Sequence, residues 1–264
     1  MKKLMFSLAA SLLLAGCSSG SGNAGNQTLT VAATAVPHAE ILKEVKPILA
    51  KEGVNLDIKV FADYVQPNTQ VAEKTIDLNY FQTKPYLDTF NREHNTHLVT
   101  IVGVHIEPFG AYSHKYTSID QLPVGATVTL PNDPANEARG LLLLARNGII
   151  TLKDPNNDLS TPKDITANPK NLVFKPLEAA MLPRTLDEVD LSLINTNYAL
   201  AAGLNPQKDA LLIESKDSPY VNYLVGRPDN QNDPRVQKLA KALTSPEIKA
   251  FIAQKYHGAV LPAF

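Results

Sequence analysis

The stretch 124–150, VGATVTLPNDPANEARGLLLLARNGII, limits what this chain can fold into more than any other part of it. Residues 124–130 place β-branched side chains in alternation, the mark of a strand, and then meet Pro131, Asn132, Asp133 and Pro134. Asp133 can cap a helix, and Pro134 can take the first helical position, where a missing N–H costs nothing. The helix carries the apolar block 141–145 and stops near Asn147-Gly148, where a glycine can supply a left-handed residue. A strand passing through a short polar turn into a capped helix commits the chain to α/β architecture.

The same pattern is written earlier in the chain. Residues 29–33 read as a strand, followed by a helix over 39–52 with Ile41, Leu42, Val45, Ile48 and Leu49 on one face and a kink expected at Pro47. A strand at 57–62, a short helix at 68–74, a strand at 78–81, a helix from Thr83-Lys84-Pro85 to near His94 and a strand at 98–104 complete this unit. Residue 124 starts the pattern afresh, and it continues through a strand at 172–174, a helix at 178–186 and a strand at 191–194.

Two α/β units are therefore expected, joined by polar crossovers at 111–125 and 215–226. The closing helices at 234–241 and 246–256 are too short to form a domain and should pack back on the first unit. The predicted organisation is one lobe from 27–111 and 224–264 and a second from 112–223, with a ligand cleft between them. Residues 153–170, dense in Asn, Asp and Pro, read as an excursion on the second lobe.

Ahead of the lobes, Lys2-Lys3 and the apolar run 4–15 form a signal peptide over 1–16, too short to remain as a membrane span. Leu14-Ala15-Gly16-Cys17 resembles a bacterial lipobox, which implies cleavage before Cys17 and acylation of that residue. Residues 17–26 would be a lipidated tether, since 18–26 hold only Ser, Gly, Asn and Ala. The remainder is then expected on the cell membrane, facing the periplasm or exterior, with an outer membrane also open. Cys17 is the single cysteine, so no intrachain disulfide can help the core. A net charge of -1 and no basic stretch interleaved with aromatics exclude nucleic acid as a partner.

Arg139 stands out within the central helix. Its neighbours three and four residues away are Asn136, Leu142, Ala135 and Leu143, so no carboxylate lies at surface ion-pair spacing. In the second turn of a helix that follows a strand, its fork should point into the crevice and suit a carboxylate bidentately. Tyr80, Phe81 and Tyr86 crowd another strand-to-helix junction, where aromatic rings can wall a pocket. His105 follows the strand at 98–104 and should also reach the crevice. Asn195 and Asn197 bracket the turn after 191–194, and Asn222 lies in Tyr220-Val221-Asn222 of the second crossover.

Signatures of enzymes are missing: no GxSxG, HExxH, GxxxxGK[ST] or GxGxxG occurs. His94 and His97 lie beside Glu93 without further convergent ligands, so neither a metal nor a cofactor is expected. The residues point to a binder that does no covalent chemistry.

Taken together, the lipobox, HAEILKEVKPILAKEG, IDLNYFQTKPYLD, VHIEPFGAYS, LPNDPANEARGLLLLARNGII, LINTNYALAAGL and SPYVNYLVGRPDN resemble the NlpA family of lipoproteins, methionine-binding subunits of a bacterial ABC importer. The resemblance implies a type II periplasmic-binding-protein fold, capture of methionine in the L or D form, and delivery to a membrane permease driven by a cytoplasmic ATPase. It implies ligand contacts at Tyr80, Phe81, His105, Arg139, Asn197 and Asn222, with Glu107, Asn136 and Glu137 as further candidates. Arginine would take the ligand carboxylate, the asparagines its polar groups and the aromatics its thioether. Another small apolar amino acid or a methionine dipeptide is the alternative ligand, and a surface adhesin or structural lipoprotein the alternative class.

Overall fold

The computed structural model describes residues 28–264; the signal peptide, Cys17 and the tether lie outside them. In chain order the first part runs β1 (Thr28–Thr34), α1 (Glu40–Lys51), β2 (Asn55–Phe61), α2 (Val65–Ala72), β3 (Leu78–Thr83), α3 (Lys84–His94) and β4 (Val99–Ile106). The middle part runs β5 (Gly110–Tyr112), β6 (Thr127–Pro131), α4 (Pro134–Arg146), β7 (Thr151–Leu152), β8 (Ile165–Ala167), β9 (Val173–Leu177), β10 (Leu191–Ile194), α5 (Thr196–Ala201), α6 (Pro206–Asp209) and β11 (Ala210–Ile213). The chain ends with β12 (Val221–Gly226), α7 (Pro234–Leu243), α8 (Pro246–Tyr256) and β13 (Leu261–Pro262).

Two mixed sheets form two lobes. The first has strand order β13-β4-β12-β3-β1-β2 and the second β11-β5-β10-β6-β9. Parallel pairing joins β1 to β2 and β3, and β6 to β9 and β10. The antiparallel members are informative: β12 runs against β3 and β4, and β5 against β10 and β11. Each is the first strand laid down after the chain changes lobe, over 107–109 on the way out and 214–220 on the way back. The expected boundaries at 111/112 and 223/224 therefore each cut a strand, and residues 221–226 are a strand of the first sheet, not part of a crossover.

The first core is made by one face of α1, where Ile41, Leu42, Val45 and Leu49 are fully buried, against β1, β3, α7 and α8. Burying each such side chain stabilises the fold by roughly 1.5–3 kcal/mol. The two closing helices thus return to the first lobe, and α1 is continuous through Pro47. The second core packs Leu141, Leu142, Leu143 and Leu144 of α4 against Val128, Leu130, Leu191 and Leu193. Within α4, Gly140 allows close approach to the sheet, since a Cβ there would lie 3.2 Å from Leu193 Cδ1. Its cap is as the sequence implies: Asp133 Oδ1 accepts from the Asn136 backbone N–H at 2.9 Å, and Gly148 after the helix has φ +71°. The helix expected at 178–186 is instead a 3-10 segment, Ala179–Thr185, because Pro183 within it cannot donate to a longer α-helical ladder. The excursion at 153–170 contributes β8, which among the described residues pairs only with β7.

Candidate ligand-binding site

Where the strands of both lobes end, their connections line a tight, partly open pocket. The end of β3 brings Phe81, Gln82 and Thr83; the turn after β4 brings Glu107; α4 brings Asn136 and Arg139; the turn into α5 brings Asn195, Thr196 and Asn197; β12 brings Asn222. This is where an open α/β sheet places its ligands. Tyr64, before α2, and Tyr86, in α3, complete the lining.

One wall is aromatic. The Tyr64 ring lies 5.7 Å from Phe81 and 5.5 Å from Tyr86 between centroids, and Phe81 and Tyr86 are 5.9 Å apart. Behind it, a buried amide cluster fixes the end of β3: Asn68 Nδ2 donates to Gln82 Oε1 at 2.9 Å, and Gln82 Nε2 donates to Asn68 Oδ1 and Asn79 Oδ1. Fully satisfied buried networks of this kind hold side chains in one geometry.

The opposite side is polar. Arg139 Nε donates to Glu214 Oε1 at 2.8 Å, and Nη2 donates to Glu214 Oε2 at 2.6 Å and to the Glu107 carbonyl oxygen at 2.8 Å. The bidentate carboxylate expected for this arginine is thus Glu214, a residue of the return crossing. Among the described residues Nη1 makes no hydrogen bond, so it is the nitrogen left free on an arginine that lines the cavity. Tyr220 stacks on the guanidinium at 4.1 Å and Phe109 lies at 5.2 Å, which fixes its plane. Glu214 also accepts from the Phe109 backbone N–H and the Ser218 hydroxyl. Burial alone would raise the Glu214 carboxyl, but the guanidinium outweighs it and holds the carboxyl below its ordinary range.

Beneath the cavity lies a second buried network. Glu107 Oε1 faces His105 Nε2 at 2.7 Å and His38 Nε2 at 3.2 Å. His38 Nε2 also meets the Asn222 amide oxygen at 3.1 Å, an acceptor only, so this nitrogen carries the proton and His38 Nδ1 accepts from the Thr34 hydroxyl at 2.7 Å. Tyr80 bonds His105 Nδ1 in the same way. Burial lowers His38 to about 4 and His105 to about 3, so both rings are neutral near pH 7. Burial pushes the Glu107 carboxyl up, opposed by His38 and Arg139. Among the described residues these three are the one group with donor atoms spaced for a cation, within 4.8 Å of one another, yet each atom is engaged by another member of the group.

The amides are set by their neighbours. The Tyr64 hydroxyl donates to Asn197 Oδ1 at 2.6 Å and His38 to Asn222 Oδ1, so the NH2 groups of both asparagines are left as donors. Asn195 Nδ2 donates to Asn136 Oδ1 at 2.9 Å, whereas Asn195 Oδ1 is buried and accepts no hydrogen bond among the described residues.

Of the residues singled out in the sequence, Phe81, Arg139, Asn197 and Asn222 line the cavity together, as do Glu107 and Asn136. Tyr80 and His105 do not: β4 extends to Ile106, so His105 is a fully buried strand residue, and Tyr80 packs in the first core against it. Both reach the cavity through Glu107. Glu137 is not among the lining residues. Tyr64, Thr196 and Glu214 escape sequence reading; Glu214 lies 75 residues from its partner, with no local pattern to mark it.

The family described as NlpA lipoprotein matches residues 29–264. The chain is 43% identical over 256 residues to the methionine-binding lipoprotein MetQ of Bacillus subtilis, spanning 95% of this chain and 93% of that one. Among solved structures, a nutrient binding protein from Burkholderia cenocepacia bound to methionine superposes with a TM-score of 0.87 at 42% identity, covering 89% of this chain and all (100%) of that one. Lipoprotein Tp32 from Treponema pallidum superposes with a TM-score of 0.87 at 38% identity over 90% of this chain.

Proposed function

The chain belongs to the NlpA lipoprotein family, and from that premise we propose that it binds methionine between its lobes and presents it to an ABC permease. The observation that carries this reading is the division of one interlobe pocket into three chemistries. Arg139 Nη1 and the NH2 groups of Asn197 and Asn222 are donors suited to an α-carboxylate. Glu107 and the unpaired Asn195 Oδ1 are acceptors suited to an α-ammonium. The rings of Tyr64, Phe81 and Tyr86 suit a thioether, whose polarisable sulfur is attracted to aromatic edges.

The protein is a carrier and not a catalyst, and on this reading acylation of Cys17 holds it to the membrane; no helix among the described residues is long and apolar enough to cross one. Mass spectrometry of small molecules released on denaturing the purified protein tests the reading. Methionine is expected; a methionine dipeptide or another amino acid in stoichiometric amount would replace it.

A further inference from the structure

The pairing of Arg139 with Glu214 leaves the cavity without net positive charge. Among the lining residues the ionisable groups are Tyr64, Tyr86, Glu107 and Arg139. Burial raises both tyrosines, so they are neutral, and Glu107 adds no positive charge in either of its states. His38 and His105, packed beneath, are neutral as well. The one fixed cation is Arg139, and Glu214 sits against it with both oxygens, within a shell completed by Phe109 N–H and Ser218.

We propose that Glu214 is a positioning and specificity-determining residue for the ligand: it offers one edge of the Arg139 guanidinium to the ligand carboxylate and cancels its charge, so that the site selects an α-amino acid zwitterion over a carboxylic acid lacking the amine. This inference rests on the methionine reading. A free guanidinium in an enclosed site would attract any carboxylate of fitting shape, because Coulomb attraction is weakly screened there. With Glu214 in place, bringing in an unaccompanied anion adds negative charge beside Glu214 and Glu107. A zwitterion brings its own ammonium and adds none. Selectivity here is built by a repulsive element as much as by the attractive one.

Calorimetric titration of the purified protein, stripped of bound ligand, tests this with L-methionine, 4-(methylthio)butanoate, which lacks the amine, and methionine amide, which lacks the carboxylate. The parent should prefer methionine amide to 4-(methylthio)butanoate although only the latter offers Arg139 a carboxylate. In Glu214→Gln the preference for methionine over 4-(methylthio)butanoate should narrow at least tenfold, with the anion gaining in absolute affinity. A parent that binds 4-(methylthio)butanoate more tightly than the amide would overturn the inference without any variant. So would a Glu214→Gln protein that weakens both ligands by the same factor, since that is what a merely structural role produces. Should the parent fail to bind methionine itself, the methionine reading falls, an outcome distinct from binding with unchanged discrimination.

Discussion

The hydroxyl of Tyr64, in the first lobe, donates to the side-chain oxygen of Asn197, in the second, at 2.6 Å across the mouth of the cavity. Tyr198 reciprocates by donating to the Ala62 carbonyl at 2.9 Å, and the two tyrosine rings lie 5.0 Å apart. These contacts join the two lobes beside the cavity. Removing one hydroxyl in Tyr64→Phe forfeits about 0.5–1.5 kcal/mol. Ligand release measured by stopped flow should accelerate about two- to tenfold, with association little changed. Unchanged release rates in both Tyr64→Phe and Tyr198→Phe would mean that the lobes are closed by other contacts.

Stability should fall as acidity rises, through the two buried imidazoles. Both have folded-state pKa values depressed by burial, to about 4 for His38 and about 3 for His105, from 6.5. Above pH 6.5 neither state binds the proton; below it the unfolded chain does and the folded chain does not, so stability is lost progressively down to about pH 4 and then about pH 3. Glu107, raised by burial, acts with the opposite sign, its contribution being lost as pH rises through its folded value. Urea midpoints from pH 7 to pH 4 should decline in the parent and decline less in His105→Asn. Equal slopes in the two proteins would refute the assignment.

Asp133 links folding to the site. It caps α4 and also accepts from Asn136 Nδ2 at 3.0 Å, while Asn136 in turn receives Asn195. Asp133→Ala should cost about 1 kcal/mol of stability through the cap, lowering Tm by roughly 2–4 °C. It should also weaken ligand binding, because Asn136, which receives Asn195, loses the carboxylate that orients it. Thermal melts with and without ligand separate the two effects.

What could be read from the sequence divides along a physical line. Local chemistry was legible: Asp133-Pro134 and Thr83-Lys84-Pro85 start helices that begin at Pro134 and Lys84, and α8 begins and ends where its flanking residues place it. Residues in the first turns of helices that follow strands, such as Arg139 and Asn197, could be assigned to the crevice because the position follows from the strand-turn-helix order. Pairings distant in sequence were not legible. Strand β5 has three residues and β12 carries a bulge at Asn222–Tyr223, so neither shows a clean alternating pattern. Glu214 looks like any acid in a polar connection until the fold brings it to Arg139. Tyr64 sits in a bend whose sequence says nothing of the facing lobe. His105 was placed at the crevice, but β4 ends two residues later than its sequence suggests, which turns that position into a buried one.

Anchoring of an amino-acid carboxylate by Arg139 inside the interlobe cavity is measured most directly by calorimetric titration of L-methionine into the parent, Arg139→Ala and Arg146→Ala, each stripped of ligand. Arg146 lies on the same helix but is exposed and outside the cavity. Truncating one member of a buried charge pair costs about 2–5 kcal/mol of binding, a loss of about thirtyfold to several thousandfold. Because Glu214 is also left buried without its cation, Arg139→Ala should lose about 3–5 kcal/mol of folding stability, so circular dichroism must show it folded at the titration temperature. One methionine should bind per parent chain, with near-parental affinity in Arg146→Ala and at least thirtyfold weaker binding in folded Arg139→Ala. Binding within threefold of the parent in folded Arg139→Ala, or a larger loss in Arg146→Ala, would contradict anchoring by Arg139.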